Sequence, residues 1–387
     1  MTNASHQPLM STYPAPPVVF ERGEGSLLWD TEGKQYLDLL SGLAVTSLGH
    51  SHPAVAEAVA TQAKTLLHTS NLFGTIPGPE VAGTLDRLLG GGGKVFFANS
   101  GAEANECAIK LARKWGGRGR HVVVSALGSF HGRTLATLHA TGQPQKHEAF
   151  QPLPDGFRHV EWNNLEALSN AIDPTVSAVL LEPVQGEGGV NPASREYFEG
   201  VRKLCDERQI LFMVDEVQTG LGRTGEWFGH QHFGVRPDVV TMAKALGNGV
   251  PIGACWALDH VAEAFVPGDH ATTYGGQPLA AAAARAVLAT MEQIDAPALA
   301  REVGKSFTEA LLDLPQVVEV RGLGAILAVE LQEGNDSKEV TRLALEQGLV
   351  VNAVTPSALR LAPALIITPA EIAKAVTILA SILGEQS

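Results

Sequence analysis

The sequence predicts an α/β fold, a mainly parallel sheet covered by helices, followed by a smaller α+β region. Two observations predict it. Between about residue 94 and residue 257, short runs that are apolar throughout recur, which is the pattern of strands buried on both faces. Stretches with helical spacing separate several of these runs, as parallel crossovers require. A third observation sets the scale: 387 residues exceed what one ordinary core fills and suggest two or three domains.

The elements follow in chain order. Val18-Val19-Phe20, a turn through Gly23 and Gly25, and Leu27-Leu28-Trp29-Asp30 read as a hairpin, continued by Tyr36-Leu37-Asp38. The central strands are read at Val95–Ala98, Val122–Val124, Ala178–Leu181, Ile210–Val214, Val239–Val240 and Ala254–Ala257. From residue 100 to 115, Ala104, Ala108, Leu111, Ala112 and Trp115 recur at three and four, leaving Lys110, Arg113 and Lys114 on other faces. An Ala-rich helix from about Leu279 to Met291 leads to strand-like Val317–Gly322 and Leu349–Val351. The expected division is an N-terminal segment, 1–50, packing with the small domain, a large domain over 51–278, and a C-terminal small domain over 279–387.

Composition narrows the function classes. Apolar residues make up 45% and charged ones 18%, with 41 Gly and 22 Pro, a loop-rich globular balance. The net charge of −13 argues against nucleic-acid or anionic-membrane partners. Cys107, Cys205 and Cys255 form no C-x-x-C, so neither a disulfide framework nor a zinc site is indicated, and no metal is expected. No export signal and no membrane span are read, and a cytoplasmic location is expected.

The most informative pair is Asp215 and Lys244. Each stands just beyond a short apolar strand, in Leu-Phe-Met-Val-Asp215 and in Val-Val-Thr-Met-Ala-Lys244. Singly, they read as a capping Asp and a solvated Lys. Together they suit pyridoxal phosphate: a carboxylate against the ring nitrogen favours its protonated form, and a lysine amine can carry the cofactor and then act as general base and acid. The cofactor's phosphate needs a cradle. Ser100-Gly101-Ala102-Glu103 follows a strand, opens a helix and reads as a capping box, presenting backbone N–H groups and a positive helix end to an anion.

Other motifs carry less. Gly220-Leu-Gly222-Arg-Thr-Gly225 spells a dinucleotide fingerprint but lacks the following amphipathic helix. Gly90–Gly93-Lys94 is followed by Val95 instead of Ser or Thr, so it reads as a turn. His50 with His52, and His230 with His232, lack a third ligand and read as hydrogen-bonded histidines.

With Ser100-Gly-Ala-Glu-Ala-Asn105, Ser129-Phe130-His-Gly-Arg133, Glu182-Pro-Val-Gln-Gly-Glu187, Asp215-Glu-Val-Gln218 and Thr272-Thr273-Tyr-Gly-Gly in this order, the chain resembles the class III aminotransferases. Thr141-Gly142-Gln143-Pro144, Pro152–His159 and Leu359-Arg360–Thr368 make it similar to the acetylornithine aminotransferases among them. The resemblance implies the fold type I of pyridoxal-phosphate-dependent transferases and assigns roles. Lys244 carries the cofactor, Asp215 meets the pyridine nitrogen, Val217 and Gln218 lie against the ring and its phenolic oxygen, and Phe130 stacks on the other face. Ser100, Gly101 and Ala102 hold the phosphate, and Thr273 reaches it from a partner subunit, implying a homodimer with shared sites. Arg133 grips the distal carboxylate of 2-oxoglutarate and the α-carboxylate of acetylornithine, and Thr272 lies near the substrate. Arg360 takes the α-carboxylate of glutamate or 2-oxoglutarate, with Glu187 as its gate.

The resemblance thus implies transfer of the terminal amine of N2-acetylornithine to 2-oxoglutarate, in arginine biosynthesis. Succinylornithine, N-succinyldiaminopimelate or ornithine as donor stays open, as does a remoter reading as a non-catalytic cofactor-binding regulator. His270-Ala271-Thr272-Thr273 and Gly275-Gly276-Gln277-Pro278 depart from the family's usual His-Gly-Ser-Thr and Gly-Gly-Asn-Pro, which bears on the donor pocket, not the reaction class.

Overall fold

The structure is a computed structural model that describes residues 9–385. Its centre is a seven-stranded sheet whose strands, in chain order, are β1 (Gly93–Ala98), β2 (Val122–Ala126), β3 (Phe157–Val160), β4 (Val176–Leu181), β5 (Leu211–Asp215), β6 (Val239–Met242) and β7 (Gly253–Leu258). Across the sheet they run β1-β7-β6-β5-β4-β2-β3. The neighbours from β6 to β3 are parallel, while β7 is antiparallel to both β6 and β1. Strands β2, β4, β5 and β6 are buried at every position; their unbroken apolar runs reflect cover on both faces.

Strand β3 is an addition to the sequence expectation. Phe157-Arg158-His159-Val160 is a four-residue edge strand with two polar side chains, too short and mixed to announce itself. Arg158 is bound to Ala171 O at 2.7 Å and Asp173 Oδ2 at 2.8 Å.

The helix Gly101–Gly116 buries Ala104, Ala108, Leu111 and Ala112, the stripe its spacing predicts. Its expected capping box is only half made. Ser100 Oγ accepts from Glu103 N at 3.2 Å, but the Glu103 carboxylate reaches one residue further back, accepting from both Asn99 N and Asn99 Nδ2 at 2.8 Å. Two donors from Asn99 outweigh the single N–H of Ser100.

The strands Phe20–Glu24, Leu27–Asp30 and Gln35–Asp38 form the predicted hairpin and its continuation, and Leu349–Val350 joins them as a fourth strand, parallel to Gln35–Asp38. The chain then changes sheet: Asn352–Thr355 pairs with Ala358–Leu361, which lies beside Ile326–Leu331, itself paired with Val317–Leu323, in an antiparallel sheet of four. The Ala-rich helix Pro278–Gln293 lies against Pro53–Thr65 and Pro77–Leu88, where its small side chains allow close approach. One core joins Leu37 and Leu39, Met242 and Trp256, Leu288, and Leu359 and Leu379. It fixes the N-terminal strands, the sheet and the C-terminal strands around the carboxyl ends of β5 and β6, where ligands of such sheets bind.

Candidate active site

Parallel pairing of β5 with β6 sets Asp215 beside Thr241 and brings Lys244, three residues on, to the same edge. Lys244 opens a single 3₁₀ turn in the left-handed region, at φ +46°, a strained backbone for a residue with a side chain and one that clusters at functional sites. Both residues line a cavity of about 360 Å³, together with Ser100, Gly101, Ala102, Phe130, Arg133, Val217 and Gln218.

Asp215 is 4% exposed and held by three donors. Oδ1 accepts from Val217 N at 3.0 Å; Oδ2 accepts from Asn105 Nδ2 and His131 Nδ1, both at 2.8 Å. Asn105 Oδ1 in turn accepts from Thr241 Oγ1 at 2.6 Å. This network fixes where the carboxylate points. His131 Nε2 is buried without a hydrogen-bond partner. Burial and the neighbouring Asp215 push the Glu182 carboxyl well above its usual value, although Phe130 N donates to it at 3.2 Å.

Burial lowers the Lys244 ammonium to about 8, against the pull of Glu187, Asp215 and Glu182. A lysine that can shed its proton near neutrality is a competent nucleophile and base. Gly101 and Ala102 open the helix Gly101–Gly116 with N–H groups that no described residue accepts. A Cβ on Gly101 would stand 2.9 Å from both Val217 methyl groups, so Gly101 is what lets the helix end sit so close to the cavity.

Arg360 is 2% exposed. Its Nη1 contacts Glu187 Oε1 at 2.5 Å and donates to Gly186 O at 3.2 Å, while Nη2 donates to Asn352 Oδ1 at 2.8 Å. Glu187 Oε1 also accepts from Gln218 Nε2 at 3.1 Å, which links this pair to the cavity wall. Burial pushes the Glu187 carboxyl up, but Arg360 and Gln218 more than offset it and leave it below its ordinary value.

Thr272 and Thr273 do not reach this cavity within one chain. They line a separate pocket with Asn99, Glu103 and His270, and Thr272 Oγ1 accepts from Gly275 N at 3.1 Å. Sequence reasoning gave no role to Asn105, His131, Glu182 or Thr241. Asn105 had a signal, a polar residue one position from Ala104 and three from Ala108 on an apolar face; the others have meaning only once the strands are assembled. Three of the four paired histidines are hydrogen-bonded: His50 meets Asp38 at 2.8 Å, His230 meets Glu216 at 2.9 Å, and His232 meets Thr224 O at 3.0 Å, while His52 Nδ1 is buried without a partner. In the Gly220–Gly225 stretch, Gly222 packs on Ala296 and Gly225 on Arg301, and no helix follows directly.

The profile of the family described as aminotransferase class-III matches residues 10–383. The chain belongs to this family. It is therefore an aminotransferase whose cofactor is pyridoxal phosphate. The acetylornithine aminotransferase of Caldanaerobacter subterraneus is 48% identical over 386 residues, covering 97% of each chain. That of Corynebacterium efficiens is 49% identical, covering 98% of this chain and 96% of its own. Among solved structures, the ornithine aminotransferase of Toxoplasma gondii superposes with a TM-score of 0.92 at 32% identity, covering 97% and 92% of the two chains. The N-acetylornithine aminotransferase of Stenotrophomonas maltophilia does so with 0.84 at 37%, covering 96% and 97%. This class III site fits its cofactor in chemistry as well as in ancestry: a half-buried lysine, a triply held carboxylate, an aromatic face and unclaimed helix N–H groups surround one cavity.

Proposed function

We propose that this chain moves the terminal amino group of N2-acetyl-L-ornithine to 2-oxoglutarate, giving N-acetyl-L-glutamate 5-semialdehyde and L-glutamate. The observation that carries this reading is that relatives bearing the name acetylornithine aminotransferase are 42–49% identical along nearly their whole lengths.

When bound, pyridoxal phosphate supplies an aldehyde for the amine and a ring that accepts the electrons released as the C–H bond breaks. Lys244 carries the cofactor between turnovers and moves the proton at Nζ. Asp215, steadied by Asn105, His131 and Val217 N, would hold its charge toward the ring nitrogen and favour its protonated form. The N–H groups of Gly101 and Ala102 and the hydroxyl of Ser100 would hold the phosphate. Phe130 and Val217 would pack on the ring, and Gln218 would serve its phenolic oxygen. Arg133 binds the carboxylate remote from the reacting nitrogen. Arg360, paired with Glu187 while the donor occupies the site, turns to the α-carboxylate of 2-oxoglutarate or glutamate.

The site is completed across a homodimer, with Thr273 reaching the partner's phosphate and Thr272 lying near its substrate. Two features support this. Both threonines stand outside their own chain's cavity. Beside them Leu72, Phe73, Ile76 and Tyr274 are 85%, 68%, 73% and 66% exposed, and Asn71 ties the two segments through 3.1 Å bonds to Thr272 O and Gly275 O. So many large apolar side chains in one place mark an interface. A cytoplasmic setting accords with Cys107, Cys205 and Cys255, all free.

The test is a panel of acetylornithine, succinylornithine, N-succinyldiaminopimelate and ornithine as donors, ranked by kcat/KM with 2-oxoglutarate. Acetylornithine is expected to lead. Leadership by ornithine, the substrate in the name of the Toxoplasma gondii neighbour, would replace this reading.

A further inference from the structure

Arg133 is not the only cation beside the Phe130 ring, which lines the cavity. Its Cζ lies 5.5 Å from the centroid of the Phe130 ring, and the ammonium of Lys146 lies 5.5 Å from the same centroid. Neither cation has a carboxylate within 4 Å among the described residues. Other arginines, by contrast, are engaged: Arg158 with Asp173, Arg360 with Glu187, Arg321 with Glu330. Two cations beside one aromatic ring, without a counter-ion, repel each other unless an anion arrives between them.

Lys146 is also held in place. It ends the 3₁₀ turn Pro144–Lys146, and its Nζ donates to Gln143 Oε1. Gln143 Nε2 donates to Ser129 O at 3.0 Å, next to Phe130. The turn therefore points the lysine at the site through the residue that precedes the ring, and this gives the Thr141–Pro144 block a purpose. Lys146 is half-buried; burial and the charge of Arg133 pull its ammonium down, while Glu187 pulls it up. It thus lies within electrostatic reach of both the distal arginine and the gate glutamate.

We propose that Lys146 is a specificity-determining residue whose ammonium shares with Arg133 the carboxylate that each substrate carries away from its reacting nitrogen. The inference deepens the assignment above and rests on it for the identity of the donor. A planar arginine fork binds two carboxylate oxygens, and an ammonium adds a point charge from a second direction. The pair selects for substrates with a distal carboxylate and against amines that lack one. Gln143 is a positioning residue for this contact.

The test compares Lys146→Gln and Lys146→Arg with the natural holoenzyme in two ways. Binding of glutarate, a dicarboxylate that does not react, is measured by calorimetry. The ratio of kcat/KM for acetylornithine to that for N-acetylputrescine, the same donor without its carboxylate, is measured in parallel. Lys146→Gln is expected to weaken glutarate and to lower the ratio, each by roughly five- to tenfold, the scale of one partly screened charge contact; Lys146→Arg recovers most of both. Glutarate affinity and ratio within twofold of the natural enzyme would overturn the proposal. So would equal loss on both donors, which would make Lys146 a support for Phe130 alone. If the natural enzyme binds glutarate but ignores acetylornithine, the donor assignment fails while the glutarate comparison still decides the role of Lys146.

Discussion

The Lys244 side chain is half-buried, where loss of water makes its charge costly, and this has a measurable consequence before any cofactor is added. Its proton leaves near pH 8 in the folded apoenzyme and at its ordinary value of 10.5 in the unfolded chain. Between those values the unfolded state binds more protons at this site, so stability contributed by the site rises with pH. The expected result is that apoenzyme stability, measured by urea unfolding and referred to Lys244→Ala, climbs from pH 8 to about 10.5 and is flat below 8. A difference that is flat throughout would place the amine in solvent. Lys244→Ala should also yield no borohydride-trapped cofactor; trapping at another lysine would refute its role. Arg360 makes a second residue-level case. Removing it costs a charged fork of about 1.5–3 kcal/mol, so Arg360→Ala should slow the 2-oxoglutarate half-reaction roughly ten- to a hundredfold and the acetylornithine half-reaction far less, as followed by single-turnover absorbance. Equal losses would make the Glu187–Arg360 pair structural.

The helix opening at Gly101 shows how an element sets the site. A side chain there would meet Val217 at 2.9 Å, so Gly101→Ala should weaken cofactor affinity, read by fluorescence titration of the apoenzyme, about tenfold or more. Val217→Ala added to it should restore part of the loss, because the obstacle is the valine's two methyl groups. No recovery in the double variant would mean that the backbone, not this contact, is at fault. Such an element was largely legible in the sequence. The stripe Ala104, Ala108, Leu111 and Ala112 and the cap Ser100 are local signals with a fixed period. The buried strands β2, β4, β5 and β6 were legible for the same reason. Strand β3 was not, since Arg158 and His159 on an edge look like loop, and neither was the change of sheet between Val350 and Asn352, which no local pattern encodes. Within the site, Asp215 and Lys244 could be found because each follows a recognisable strand. Their supports, Asn105, His131 and Thr241, converge only through the pairing of β5 with β6 and the packing of one helix across them.

At the scale of the whole molecule, one chain holds most but not all of the proposed site. The proposed role of Thr273 in a partner's site was legible only through the family resemblance; no local pattern announces it, because it depends on how the segment 270–278 folds away from Lys244. Mixing Lys244→Ala subunits with Thr273→Ala subunits should therefore yield heterodimers with one intact site, and activity should recover on mixing toward a quarter of the natural level, the share expected when half of all dimers are mixed and half of their sites are intact. Absence of recovery in dimers proven to have exchanged would confine Thr273 to its own subunit. The central claim is that nitrogen travels from the terminal amine of acetylornithine to 2-oxoglutarate. Acetylornithine labelled with heavy nitrogen at the terminal amine alone tests it most directly, with the glutamate formed read by mass spectrometry. The account predicts that glutamate carries the label nearly quantitatively and appears one for one with the semialdehyde. Unlabelled glutamate, or labelled acetylornithine left intact while ornithine is consumed, would contradict it.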